Sequence, residues 1–203
     1  MTLKELEAKL QRLDDIEAIR KLQYAYNYYL EHWQEDEVVD LFSASPNTTI
    51  EVGETGLYQG KDGVKKIFSY SNHFVTKEKT PPPEFLHLLM PIAGIVDVDS
   101  SGKTAKGRWY CWGCNAIPIK GKVEATFLTG IWENEYVKED GKWKFKKLNF
   151  RYLVNCPFGK CWVDPAVLTT VQDREKIAKR DLPSTDPPGY RLPFHFKHPI
   201  TGK

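Results

Sequence analysis

The sequence predicts an α+β fold. Helical periodicity dominates the first third of the chain, and long alternating runs separated by turn signals fill residues 85–155. In addition, 203 residues suit one domain with a good-sized core. The net charge of +2 gives no field that would draw nucleic acid or an acidic membrane surface. No apolar run is long enough to span a bilayer, and no signal-like segment follows Met1. A cytoplasmic protein is the expectation.

The central element is residues 14–42. Ile16, Ile19, Leu22, Tyr26, Leu30 and Trp33 recur at steps of three and four, the mark of one apolar helix face. Asp14 with Glu17 forms a capping-box pattern at its start. A shorter amphipathic helix is expected before it, with the stripe Leu3, Leu6, Leu10 and Leu13 and Thr2 as cap; such a stripe should pack on a neighbouring element or subunit. Tyr24, Tyr26, Tyr28 and Tyr29 crowd two turns of the main helix, followed by Glu31, His32 and Trp33.

After a turn at 43–47, residues 48–52 alternate as a strand and 57–60 form its hairpin mate. Residues 61–71 read as a helix with Val64, Ile67 and Phe68 on one face. Pro81, Pro82 and Pro83 exclude regular structure from the loop at 73–84. Strands are then expected over 85–99, 104–118, 123–137 and 142–155, the last pair joined by an Asp140-Gly141 hairpin turn. Residues 156–203 are set apart as a C-terminal helix, over 164–179, and an extended Pro- and aromatic-rich arm. That arm should lie over its own sheet or a neighbour's and bury Phe194 and Phe196, with His195 and His198 on the surface.

Four cysteines form the pairs Cys111/Cys114 and Cys156/Cys161. Residues three apart on a strand point to opposite faces, so Cys111 and Cys114 cannot share a metal without a bulge. Structural thiols are the reading. No phosphate-binding glycine loop, serine elbow or HExxH helix is present, which favours proton chemistry without metal or cofactor.

Ile19, Arg20, Leu22, then Tyr26, Glu31, Leu41 and Phe42 stand at spacings that resemble the first long helix of the SnoaL-like branch of the NTF2-like superfamily. Residues 15–19 and 104–110 resemble the bile acid 7α-dehydratase subgroup, and the overall pattern is also similar to scytalone dehydratase type lyases. The resemblance covers roughly residues 3–154. It implies a cone, with a curved antiparallel sheet wrapped around the long N-terminal helix. It also implies a pocket in which His87 acts as general acid or base, paired with Glu31, while Tyr26 donates a proton or hydrogen bond. An isolated histidine between Leu86 and Leu88 would otherwise be read as binding a backbone carbonyl. Trp109, Arg108, Arg151, Tyr152 and Trp33 are the expected substrate-binding residues, with the choice between Arg151 and Tyr152 open. Two departures stand out: Glu31 replaces the usual Asp, and Gly113 stands where the dehydratase subgroup has Asp.

The resemblance therefore implies a cofactor-independent lyase acting on a hydroxylated aromatic or polycyclic small molecule, by dehydration or by C–C cleavage such as deformylation of a lignin-derived diaryl compound. An isomerase is a variant of this. Rival readings are a structural small subunit of a ring-hydroxylating dioxygenase and a non-catalytic binding module. A homodimer or homotrimer is expected, with no nucleic-acid or membrane partner.

Overall fold

The computed structural model describes residues 1–53, 56–75, 85–119, 122–159, 179–184 and 192–203. Of the loop expected at 73–84, residues 76–84 fall outside them, and 73–75 instead continue the helix that ends at Val75. The helix expected over 164–179 also falls outside, apart from Lys179. No helix among the described residues is long and apolar enough to cross a membrane.

One helix, α1 (Leu3–Glu31), replaces the two expected at the N-terminus. Its cap is Thr2, whose side chain accepts from the Glu5 N–H at 3.2 Å while Glu5 Oε2 accepts from the Thr2 N–H at 2.7 Å. Asp14 caps nothing, because nothing between Leu13 and Ile16 breaks the helix. Its neighbour Asp15 is buried instead. Asp15 Oδ1 accepts from Lys138 Nζ at 2.6 Å, Trp143 Nε1 at 2.9 Å and Gln11 Nε2 at 3.3 Å. The leucine stripe is not covered among the described residues: Leu3, Leu10 and Leu13 are more than half exposed.

Helix α1 ends in a Schellman arrangement. The Gln34 N–H donates to Tyr29 O and the Trp33 N–H to Leu30 O, with Trp33 at φ 57°. This left-handed residue turns the chain into α2 (Glu35–Asp40). The chain continues through β1 (Thr49–Val52), β2 (Tyr58–Gln59) and α3 (Gly60–Val75). The long strands follow: β3 (Leu86–Val98), β4 (Thr104–Ile119), β5 (Lys122–Glu139) and β6 (Lys142–Pro157). They match their expected spans within about two residues, because alternation and turn residues mark strand ends clearly. Asp140 and Gly141 both take positive φ, the turn geometry that an Asp-Gly pair favours.

The six strands form one sheet in the order β2-β1-β6-β5-β4-β3, with only the β1–β6 pair parallel. Register shifts at Ile92/Ile95, Thr129/Gly130 and Glu135/Tyr136 add local twist. The sheet is curved, and α1 lies on its inner face. The core there holds Trp109, Trp132, Phe145, Leu148 and Phe150 from the sheet, Ile19, Leu22, Tyr26 and Leu30 from α1, and Val64 and Phe68 from α3.

The outer face is covered in part by the C-terminus. Leu182 pairs with Leu57, and Asp181 accepts from Lys66 Nζ at 2.6 Å. Leu192 is buried, but Phe194 is 70% exposed, against the expectation. His195 also departs from it: its side chain is 4% exposed. Nδ1 is hydrogen-bonded to Glu133 and Nε2 lies 3.8 Å from Asp97.

Asp15 is the polar anchor between α1 and the β5–β6 hairpin. Burial pushes its carboxyl up, but hydrogen bonds from Lys138, Trp143 and Gln11 outweigh this and hold it below its ordinary value. Its contribution is therefore complete above about pH 4 and lost as pH falls through the lowered value. Asp15→Ala should cost about 2–4 kcal/mol of stability at neutral pH. Asp15→Asn should flatten the acid limb of the stability curve. Urea titrations at several pH values check both, and an Asp15→Asn acid limb identical to that of the parent would refute the assignment.

Candidate functional site

In antiparallel strands, directly opposed residues point to the same face. His87 on β3 is opposed by Asn115 on β4, and Leu89 by Gly113. Cys111, opposite Pro91, is fully buried in the core, so this row of residues faces inward and His87 lies on the inner face. On β5 the same face carries Thr126, Leu128, Gly130 and Trp132. On β6 it carries Asn155, Tyr152 and Phe150.

Helix α1 crosses this face in the opposite direction to β3. Near its start Arg12 donates to Val98 O at 2.7 Å. Midway, the Tyr24 ring meets Trp109 edge-on at 6.1 Å. At its end Trp33 meets Phe85 at 4.8 Å, and Phe85 meets His87 at 6.3 Å. Glu31, two residues before Trp33, and His87, two residues after Phe85, thus belong to the same end of the inner face. Among the described residues no hydrogen bond or ion pair joins Glu31 to His87.

Two of the expected residues sit deeper. Tyr26 is 3% exposed and packs edge-on against Phe68 and Phe145. Trp109 is 2% exposed, and its Nε1 donates to the Tyr136 hydroxyl at 3.1 Å. A Cβ on Gly94 would stand 2.1 Å from the Trp109 ring, so the bulge at this glycine makes room for the indole. Gly113 is constrained in a similar way: a Cβ there would lie 2.3 Å from Leu88 O. The backbone beside His87 leaves no space for the aspartate found in the dehydratase subgroup.

Arg108 and Arg151 must be withdrawn from the inner-face set, because strand alternation turns them outward. Arg108, next to inward Trp109, pairs with Glu133 at 3.0 Å and donates to the carbonyls of Leu192 and Pro193, with the Phe194 ring 4.7 Å from its guanidinium. Arg151 is 1% exposed on the face opposite Tyr152. It donates to Gly53 O at 3.1 Å and to Ser184 Oγ at 2.9 Å, and pairs with the buried Glu51 at 3.4 Å. Both arginines hold chain segments on the outer surface. Tyr152 is the inward member of its pair, with its ring 4.9 Å from that of Phe150.

Several polar groups on the inner side were not singled out from the sequence. Gln23 is fully buried, and its Oε1 accepts from Asn134 Nδ2 at 2.9 Å and from the Tyr136 hydroxyl at 3.3 Å. Asn27 is 7% exposed with its Oδ1 unpartnered. The signal was present: Asp15, Ile19, Gln23, Asn27 and Glu31 stand four apart, a mostly polar row running down a helix that must be buried. Asn115 and Asn155 also present unpartnered Oδ1 atoms. Burial pushes the Tyr136 hydroxyl well above its ordinary value and the Cys111 thiol up to about 12, so neither ionises near neutrality. Cys111 faces inward and Cys114 outward, as alternation requires.

Glu35, two residues past Trp33, is the perturbed acid at this end. Burial, and then the charge of Asp36, pushes its carboxyl up to about 7. A folded value above the unfolded one means stability is lost as pH rises from about 4.5 through 7. Glu35→Gln should therefore stabilise the protein at pH 8 by roughly 1–2 kcal/mol and leave it unchanged at pH 4. Equal effects at the two pH values in thermal melts would exclude a raised Glu35.

A groove of about 490 Å³ between α1 and the β5–β6 hairpin is lined by Gln11, Asp15, Lys138 and Trp143. Its lining runs along the middle of α1 from Gln11 to Ala25, so its near edge stands about 9 Å along the axis from Glu31.

Among solved structures, the chain resembles a candidate scytalone dehydratase from Novosphingobium aromaticivorans, at 19% identity and a TM-score of 0.61, covering 75% of this chain and 99% of that one. It resembles the hexachlorocyclohexane dehydrochlorinase LinA-type3 from Novosphingobium barchaimii at 19% identity and a TM-score of 0.60, covering 75% and 96%. A protein of unknown function from Mycobacterium tuberculosis matches at 16% identity and a TM-score of 0.60, covering 86% and 99%. At these identities the likeness establishes the fold. The SnoaL-like domain family matches residues 11–149, more than two thirds of the sequence, and the chain belongs to that family.

Proposed function

We propose that this protein is a cofactor-independent lyase that acts on a hydroxylated aromatic or polycyclic small molecule through His87. What carries the reading is the antiparallel course of α1 along β3, which brings the Glu31–Trp33 turn to the end of the inner face that holds His87. The family's fold, shared with a candidate scytalone dehydratase and a dehydrochlorinase, supports elimination chemistry.

In a dehydration, neutral His87 takes a proton from a substrate C–H. The C–H electron pair becomes the new C=C bond, and the hydroxyl on the adjacent carbon leaves with its own electron pair. A proton from Tyr26 makes the leaving group water. In the carbon–carbon variant, His87 takes the proton of a hydroxymethyl O–H. The O–H pair closes a C=O bond, formaldehyde departs, and the C–C pair becomes a C=C bond as the hydroxyl on the adjacent carbon leaves as water with a proton from Tyr26. Glu31 would steady the imidazolium across one water.

His87→Ala should reduce kcat by about two to four orders of magnitude with a smaller change in KM. Tyr26→Phe, which keeps the ring packing, should also slow turnover. The assay is purified protein without added metal, flavin or nicotinamide, against a panel of hydroxylated aryl and steroid substrates, with circular dichroism to confirm folding. Full activity in both variants would place the chemistry elsewhere.

One observation favours a second reading. Met90, Ile92, Ile95, Tyr110 and Trp112 are each 40–49% exposed on the β3–β4 side of the molecule. A patch of this kind suits association, either as a homodimer or homotrimer or as a structural subunit of a larger oxygenase. Inactivity across the whole panel, together with monomer-to-complex assembly on a separate catalytic chain, would favour the subunit.

A further inference from the structure

The inner face beside His87 carries carboxamides that the fold does not use. Asn155 is 8% exposed and Asn115 is partly buried, and the Oδ1 of each is buried without a hydrogen-bond partner. Among the described residues neither side chain makes any hydrogen bond. A buried carbonyl oxygen left unpaired costs free energy, so an amide kept in this state is a strong pointer to a missing donor. Trp33 Nε1 at the same end is a buried donor without an acceptor.

Their placement follows from the register. Asn115 is opposed by His87 on one side and Thr126 on the other. Asn155 is opposed by Leu128, one inward-facing step along β5 from Thr126. Two strand spacings and one two-residue step separate the asparagines by about 12 Å between Cα atoms. On β5 between them lie Thr126 and Leu128, and beside Asn115 on β4 Gly113 projects no side chain. The row has an acceptor at each end, and Leu128 with the bare Gly113 position leaves room for an apolar body. A ligand that fits it is an aromatic body with an O–H donor at each end.

We infer that Asn115 and Asn155 are the two poles of the ligand site, each Oδ1 accepting from one hydroxyl of a diphenolic ligand, with the Asn115 end next to His87. This deepens the lyase reading, and depends on it only for which end reacts.

The test is equilibrium binding to the full chain, with no turnover measured. The probes are 4,4′-biphenol, its monomethyl ether and its dimethyl ether. The parent protein should lose roughly tenfold in affinity for each methylated hydroxyl. Asn155→Leu and Asn115→Leu should each bind the diphenol about tenfold more weakly and distinguish it less from the monomethyl ether. Both variants should melt at or above the parent temperature, because Leu fills the same shape without an orphan oxygen. Equal binding of the three probes by the parent protein, or no binding of any, would overturn the inference without reference to a variant. A variant that melts well below the parent while keeping its hydroxyl discrimination would overturn it too. Hydroxyl-dependent binding without conversion of any aryl substrate would remove the lyase reading and leave this site standing. Conversion with indifferent methyl ethers would do the reverse.

Discussion

Gln23 fixes where the long helix sits. Apolar packing of α1 on the sheet is non-directional and would tolerate a slide by one turn. The hydrogen bonds from Asn134 and Tyr136 to Gln23 Oε1 would not, because a slide leaves the buried Gln23 amide oxygen without donors and the buried Tyr136 hydroxyl without an acceptor. Asn134 also accepts from the Asn149 N–H at the β5–β6 bulge, and Tyr136 accepts from Trp109 Nε1. One side chain on α1 is thereby tied to β4, β5 and β6. With Arg12 and Asp15 holding the first turns, the C-terminal turn of α1 has only one place to go, which is beside Phe85 and His87.

The elements were legible where local chemistry decides them. Turn residues and alternation marked the four long strands, and Asp140-Gly141 named its own turn type. Thr2 announced the first cap, yet Asp14 announced a second that does not exist, since a capping pattern inside a continuous helix has no free N–H groups to satisfy. The break at Trp33 was hidden for the opposite reason. A left-handed residue at that position is ordinarily glycine or asparagine, and nothing in a tryptophan signals it. The turn is held by tertiary contacts, above all the packing of Trp33 on Phe85, which no local window contains. The family pattern pairs His87 with Glu31, and in the fold Trp33, Phe85 and His87 gather at one end of the inner face. It could not give the strand parity that separates Arg108 from Trp109 and Arg151 from Tyr152, because a shift of one residue reverses every side chain.

The outer surface explains why two arginines were mistaken for ligands. Each stands beside an inward aromatic residue, so sequence proximity to the site is real, while the guanidinium lies across the sheet from it. Arg108 and Glu133 form a partly shielded ion pair that gathers the Leu192 and Pro193 carbonyls, and His195 closes on Glu133 from the other side. Arg151 and Glu51 do the same for Gly53 and Ser184. Charges buried this way add little to net stability against an apolar alternative, but their directional bonds specify one path for the chain. The C-terminus is laid down by polar clasps more than by aromatic burial, which is why Leu192 and His195 are covered and Phe194 is not.

With both arginines outside, the inner rows from Trp109 to Asn115, and the residues opposite them on β3, β5 and β6, contain no lysine or arginine. A carboxylate or phosphate would lose its hydration there and gain no cation from these rows, a cost of several kcal/mol per ion. A neutral ligand loses far less, and hydroxyl groups find the acceptors that the asparagines leave open. The same lack of fixed charge bears on the chemistry. Negative charge that develops on a substrate oxygen or carbon must be met by neutral donors or by an imidazolium formed in the step itself. His87 is the group on these rows that can create that positive charge by the act of taking a proton, so under the proposed function base and electrostatic stabiliser would be one residue.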